Sequence, residues 1–291
     1  MRVIVIDMGK KLLRECIIIG GQAAGGHVLG KARDRNYAPH LEIIRDLTSS
    51  GVEVVYIHDK DTNYLEGMNS EGIGIINAAL LVSEDEAAAK KFWNKSKKKG
   101  TSNDGPRIAR ALTFPKLSQV IKSLVGYDTG LKGHTFVGNS KSLYSIEMTS
   151  KHNPIVKKLD PSTGFDVRTN HGEDHKGAGY TPTGFPDDYV SSKVRKAAAA
   201  AAIADIDDPE ELMPSIATQQ FDSGSNYNTM RKVDKEAGMR TSSHVLMNLD
   251  NLELMCYLLP GECTFEGIVD KTPDDYEPVI KIKVKEYEED E

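Results

Sequence analysis

The sequence predicts an α+β protein in which two mostly antiparallel sheets face each other between outer layers of helix. Two observations carry this expectation. Short, β-branched or alternating segments outnumber helical ones and gather towards both ends of the chain. Between them lie two helix-rich blocks, and stacked sheets with helices outside use every segment.

Taken in order, Val3 to Ile6 reads as a short strand closed by Asp7 and Gly9, and Lys10 to Glu15 as a polar connector. Cys16 to Gln22 is a strand, because Ile17, Ile18 and Ile19 favour a buried pleated segment. Ala23 to Gly26 is a tight turn whose paired glycines supply positive φ, and His27 to Arg33 returns. Pairing of these two strands brings Cys16 beside Lys31, Arg33 and Asp34. Pro39 sits where it opens a helix to about Ser49, with Leu41, Ile44 and Leu47 on one face. Val52 to His58, Tyr64 to Met68 and Ile73 to Leu81 follow as strands, the last a central one.

Ser83 caps a helix over Glu84 to Lys98, and two more cover Pro106 to Leu112 and Leu117 to Leu124. His134 to Gly138, Ser142 to Met148, Ile155 to Lys158 and Phe165 to Arg168 resume the sheet pattern. His171 to Asp188 is a long Gly-, Pro- and charge-rich loop of the kind that tends to carry function. Val190 to Ala204 and Pro209 to Gln219 are helical, and Phe221 to Gly238 is polar loop. Ser243 to Leu249 and Glu253 to Leu258 make a hairpin over Asp250-Asn251. No internal repeat or linker divides the chain, so residues 16–285 read as one domain. Residues 1–15 are an added strand or a propeptide, and 286–291 an acidic tail.

The chain has 291 residues, enough for a substantial core, and a formal charge of -6. Mild acidity argues against a dedicated nucleic-acid binder, and the basic run Lys95 to Lys99 reads as a solvated helix end. Cys16, Cys256 and Cys263 have no metal-ligand spacing and no even disulfide count, which fits a reducing cytoplasm. The opening apolar run is too short for a signal core, and no run approaches the roughly 20 residues that cross a bilayer. A soluble cytoplasmic protein acting on a small molecule, without nucleic acid, membrane or cofactor, is the expectation; homo-oligomerisation stays open.

Three motifs bear on chemistry. A thiol beside cations and a carboxylate is a candidate nucleophile, since positive charge favours the thiolate; a lone Cys at the head of an apolar strand is more often only a small buried hydrophobe. Gly25 to Ala32 approaches a phosphate-binding loop, but Ala32 lacks the magnesium-binding hydroxyl and no helix follows. His171 and His175 flank Glu173 and Asp174, yet histidines four apart share a face only on a helix. Gly172, Gly177 and Gly179 argue for loop, so no metal is expected.

In this order the residues resemble the penicillin acyltransferase and choloylglycine hydrolase group of N-terminal-nucleophile hydrolases. The likeness rests on Cys16 and Gly30-Lys31-Ala32-Arg33-Asp34, then Gly67-Met68-Asn69-Ser70-Glu71-Gly72. Arg168-Thr169-Asn170-His171 and Gly238-Met239-Arg240 before the final hairpin complete it. Asp104-Gly105-Pro106 with Arg110, Gly138-Asn139 with Ile146-Glu147, and Ser191-Ser192 with Arg195 resemble its secondary signatures. The resemblance covers roughly Cys16 to Leu259. It implies an αββα sandwich and self-cleavage between Glu15 and Cys16, whose freed α-amino group then acts as general base for its own thiol. Cys16 would attack a linear amide or thioester and form an acyl-enzyme, as a hydrolase or acyltransferase.

By the same resemblance Asp34 orients the amine, Asn170 donates to the oxyanion, and Arg240 bonds Asp34 and helps hold the thiolate. Asn77, Lys31 and Arg33 are weaker supporting residues. Two positions depart from the pattern: Ile17 stands where a small or hydroxyl residue is usual, and Glu15 where Gly is common. An uncut chain would lack the amine, and the alternative is a catalytically silent relative that keeps its first fifteen residues for binding or structure.

Overall fold

The computed structural model describes residues 14–24, 26–35, 37–80, 104–126, 130–149, 153–175, 186–217, 227–230, 240–258, 264–265 and 278–285. Expectations for Val3 to Ile6, Ser83 to Lys98, most of Phe221 to Gly238 and the acidic tail lie outside these residues.

The chain begins as the hairpin read from sequence: β1 (Arg14–Ala23) and β2 (Gly26–Arg35), in register with Cys16 opposite Arg33 and Glu15 opposite Asp34. Gly26, at φ 114°, makes the turn in a region that residues with a Cβ avoid. Then come β3 (His40–Leu47), β4 (Glu53–Asp59), β5 (Tyr64–Asn69) and β6 (Gly74–Ala78). Helices α1 (Asp104–Leu112) and α2 (Leu117–Leu124) precede β7 (Gly133–Asn139), β8 (Ser142–Met148), β9 (Ile155–Lys158) and β10 (Asp166–Arg168). Helices α3 (Pro186–Ala202) and α4 (Leu212–Ile216) lead to β11 (Arg240–Asn248), β12 (Glu253–Leu258), β13 (Thr264–Phe265) and β14 (Ile280–Lys283).

The strands form two sheets, one ordered β10-β1-β2-β11-β12-β14 and the other β13-β3-β4-β5-β6-β7-β8-β9. Among the described residues every pairing is antiparallel except β13 with β3. Between the sheets, Ile18, Leu29, Val245 and Met247 meet Val55, Ile57, Met68, Ile76 and Phe136. Gly20 lets β1 approach that layer, since a Cβ there would lie 2.9 Å from Phe136 Cγ. On the outer face of the larger sheet, α1 and α2 bury Ile108, Leu112, Val120 and Leu124 against Val54, Ile75 and Val137. On the outer face of the smaller one, Ala199 and Met213 of α3 and α4 cover Ile17, Ile19, Val28 and Ala32. The result is a four-layer αββα sandwich.

These layers explain the unbroken Ile17-Ile18-Ile19 run. Ile18 points into the sandwich while Ile17 and Ile19 point to the helices, so β1 is apolar on both faces. Each buried isoleucine stabilises the fold by about 1.5–3 kcal/mol relative to exposure.

One element differs in type from expectation. Pro39 does not open a helix: His40–Leu47 pairs with β4 along its whole length. Leu41, Ile44 and Leu47 have helical spacing, but only Leu41 is buried and Leu47 is 70% exposed, so no helical apolar face exists to bury. Ile43 and Ile44 instead suit a strand near a sheet margin. No helix among the described residues is long and apolar enough to cross a membrane.

Candidate active site around Cys16

Cys16 lies at the start of β1, 3% exposed, with its side chain on the inner face of the smaller sheet. Alternation along β2 places Lys31, Arg33 and Arg35 on that same face, and all three are buried. The Lys-x-Arg-x-Arg pattern is thus a cationic row directed into the sandwich. Arg35 reaches the thiol, its Nη1 lying 3.6 Å from Cys16 Sγ. The same nitrogen donates to the carbonyl oxygens of Glu15 at 3.3 Å and Asp34 at 2.7 Å.

Two carboxylates from the facing sheet hold the row. Glu66 on β5 accepts from Lys31 Nζ at 2.5 Å and from Arg33 Nη2. Burial alone would raise the Glu66 carboxyl, but Arg33 and Lys31 outweigh it and hold it down at about 2. Burial lowers the Lys31 ammonium below its ordinary value, against the raising pull of Cys16 and Glu66. Tyr64 accepts from Lys31 at 3.0 Å and donates its hydroxyl hydrogen bond to the Asn77 carbonyl at 3.0 Å. Asp59 lies 3.8 Å from Arg35 Nε and accepts from the Tyr37 hydroxyl at 2.7 Å. Three cations therefore face two carboxylates, and Arg33 Nε, Arg33 Nη1 and Arg35 Nε find no hydrogen-bond acceptor among the described residues.

Asp34 and Glu15 face the other way. They are opposed in the β1–β2 ladder, and period-two alternation turns both side chains to the outer face, away from the thiol. Pairing does bring Cys16 beside Lys31, Arg33 and Asp34 along the chain, but of these the Asp34 side chain lies on the opposite face from the thiol. Arg195 of α3, fully buried, meets Asp34 Oδ2 at 3.2 Å, Glu15 Oε2 at 2.9 Å and Asn170 Oδ1 at 3.1 Å. Thr241 of β11 donates to Asp34 Oδ1 at 2.7 Å.

The Cys16 backbone nitrogen joins the two faces: it donates to Asn170 Oδ1 at 3.4 Å. Asn170 follows β10, its own N–H capped by Ser192 Oγ at 2.8 Å and its Nδ2 donating to the Ala79 carbonyl at 2.8 Å. Neighbouring His171 bonds Ser192 at 2.9 Å and lies 3.1 Å from Glu173, so α3 fixes this whole segment.

Of the residues singled out from sequence, Cys16, Lys31, Arg33, Asp34 and Asn170 therefore meet within one buried region with Glu15. Arg240 lies at the neighbouring strand position, opposite Arg35 in the β2–β11 register. Arg195 bonds Asp34, and Arg35 reaches the thiol. Asn77 Nδ2 is committed to the His134 carbonyl at 2.9 Å and Thr135 Oγ1 at 3.0 Å, which stitches β6 to β7. His171 and His175 are not on a helix, and no group of residues able to hold a metal occurs among the described residues.

Arg35 and Glu66 were not expected at the site, and Arg195 was named only in a secondary signature, with no role assigned. Arg35 was legible in principle, as the third cation of an alternating row on a strand. Glu66 was not, because it arrives from the facing sheet.

No family model matches the chain, and no curated protein matches it. Solved structures do. The chain is similar to an N-acylethanolamine-hydrolyzing acid amidase ortholog of Caenorhabditis elegans, at 14% identity and a TM-score of 0.49 over 85% of this chain and 95% of that one. It is also similar to penicillin V acylase from Agrobacterium tumefaciens, at 11% identity and a TM-score of 0.47 over 85% of this chain and 84% of that one. A variant of the conjugated bile acid hydrolase from Clostridium perfringens shows 12% identity and a TM-score of 0.45, over 84% of this chain and 89% of that one.

Proposed function

We propose that this chain is a self-processing cysteine amidohydrolase or acyltransferase that acts on a linear amide or thioester through a Cys16 acyl-enzyme. One observation carries the reading. The nitrogen, sulfur and preceding carbonyl of Cys16 each meet a polar partner, Asn170, Arg35 and Arg35 again, in a buried site.

Scission before Cys16 turns that nitrogen into an α-amino group, whose ordinary pKa of about 7.7–8.0 suits general-base work near neutrality. The amine takes the thiol proton, the sulfur adds to the substrate carbonyl, and the leaving amine departs with the proton. Water or an acceptor amine then releases the acyl group by the reverse path. Asn170 Oδ1 orients the nitrogen, and its Nδ2 has a second hydrogen for the oxyanion. Asp34, held by Arg195 and Thr241, supplies the counter-charge for the ammonium. Lys31 and Arg33, locked by Glu66, set the positive field on the thiol's face. Arg240 flanks this group on β11.

The test is acyl-enzyme capture. Incubation with activated esters and anilides of varied acyl chain, followed by acid quench and intact-mass measurement, should show one acyl adduct on the Cys16 peptide. Cys16→Ala should show none and turn over nothing. Turnover unaffected by Cys16→Ala would overturn the reading.

A second reading has its own support: Arg14 and Glu15 are part of the β1 ladder, paired with Arg35 and Asp34. A chain that keeps them would be a silent member of the fold with a binding or structural role. A wild-type protein that forms no adduct and keeps its first residue would favour it.

A further inference from the structure

We propose that Arg35 is the oxyanion donor for scission of the Glu15–Cys16 bond, the maturation step on which the function above rests. A self-cleaving peptide needs a donor on its own scissile carbonyl, close to the attacking atom. Arg35 Nη1 meets both requirements, at 3.3 Å from the Glu15 oxygen and 3.6 Å from Cys16 Sγ. A third contact, to the Asp34 carbonyl at 2.7 Å, holds that nitrogen in place. The guanidinium is buried, with Asp59 3.8 Å from its Nε, so it is preorganised and shielded from water.

The neighbouring polar groups divide the remaining work. Asn170 directs Oδ1 at the Cys16 nitrogen and Nδ2 at Ala79, so in the uncut chain its amide acts on the leaving nitrogen and not on the carbonyl. Lys31 and Arg33 bond Glu66 on the facing sheet. Arg195 holds the Glu15 carboxylate at 2.9 Å on the outer face, which fixes the acyl residue while it is attacked. Glu15, which departs from the usual glycine, thus has an anchoring contact of its own.

The chemistry balances with water as the one co-reactant. Cys16 Sγ bonds to the Glu15 carbonyl carbon and the carbonyl oxygen becomes an oxyanion facing Arg35. Collapse breaks the carbon–nitrogen bond, and the proton lost by sulfur ends on the Cys16 nitrogen. Residues 1–15 are then held as a thioester. Water adds to that carbonyl, the carbon–sulfur bond breaks, and Glu15 leaves as a free carboxylate with Cys16 carrying both thiol and amine.

The experiment follows scission of the full chain by intact mass after synthesis in a cell-free system, for wild type, Arg35→Lys and Arg35→Met. Folding is checked by circular dichroism, and a parallel arm adds hydroxylamine, which cleaves thioesters. Removal of one oxyanion donor lowers rates by about 10²–10³-fold, so folded Arg35→Met should be slowed at least ~100-fold, with Arg35→Lys between. Hydroxylamine should speed the wild type and leave Arg35→Met slow, because its block precedes the thioester. A folded Arg35→Met that matures within about threefold of wild type would overturn the assignment, on the scale of that expected loss. So would rescue of it by hydroxylamine, or loss of fold in both variants, which would make Arg35 structural. A wild-type chain that stays whole brings down self-processing itself, a different failure, since Arg35 substitutions then change no mass.

Discussion

Glu66→Gln tests the electrostatic frame of the site. The substitution keeps shape and removes one charge, leaving Lys31 and Arg33 buried with Asp59 as the remaining carboxylate on their side. Two routes give its magnitude. The carboxyl is held at about 2 against an ordinary 4.5, a difference worth on the order of 3 kcal/mol at 1.36 kcal/mol per unit. Breaking a buried ion pair from one side costs about 3–5 kcal/mol. The routes agree, and the expected loss at neutral pH is about 3 kcal/mol, or roughly 5 °C in Tm for a chain of this size.

The pH dependence has a definite sign. The folded-state pKa of Glu66 lies below its unfolded value. Its stabilisation is therefore complete above 4.5 and lost as pH falls through about 2. Urea unfolding of both proteins in steps from about pH 7 to about pH 3 should show a gap that is constant at first and narrows below about 4.5. A gap under about 1 kcal/mol at neutral pH, or one that does not change in acid, would refute the claim that Glu66 is a buried, doubly paired carboxylate.

Two further substitutions probe the outer face and the nitrogen. Asn170→Ala removes the acceptor from Cys16 N and the donor proposed for the oxyanion. Steady-state kinetics should show kcat lowered by about 10²–10³-fold with KM little changed, and an equal rise in KM would assign Asn170 to substrate binding. Arg195→Met strips Asp34 and Glu15 of their shared cation in a fully buried position. Urea unfolding should show a loss of about 3–5 kcal/mol, and a loss below about 1 kcal/mol would mean that other groups hold both carboxylates.

Much of the fold was legible because its strands announce themselves locally. The first hairpin was written in a β-branched run, a glycine turn and a matching return, and the final hairpin in its Asp250-Asn251 turn. The segment after Pro39 misled because Leu41, Ile44 and Leu47 fall at helical spacing by chance, while the deciding fact, pairing with β4, is non-local. At the site, residues on the hairpin and in short motifs could be named one by one. The face on which each side chain sits could have been derived: Asp34 is next to Arg33 in sequence, hence across the sheet from it. The partners could not be, since Glu66 comes from the opposing sheet, Arg195 from a helix far along the chain and Ala79 from the end of β6. Contacts of that kind follow from how layers stack, which single-sequence patterns do not encode.

Whether residue 16 becomes a chain terminus decides the most. N-terminal sequencing and intact mass of the purified wild-type protein, beside Cys16→Ala, measure it directly. Self-processing predicts a wild-type chain that begins at Cys16 with residues 1–15 lost, and a Cys16→Ala chain that remains whole. A wild type that still carries residues 1–15, or a Cys16→Ala chain cut at the same place, would contradict it.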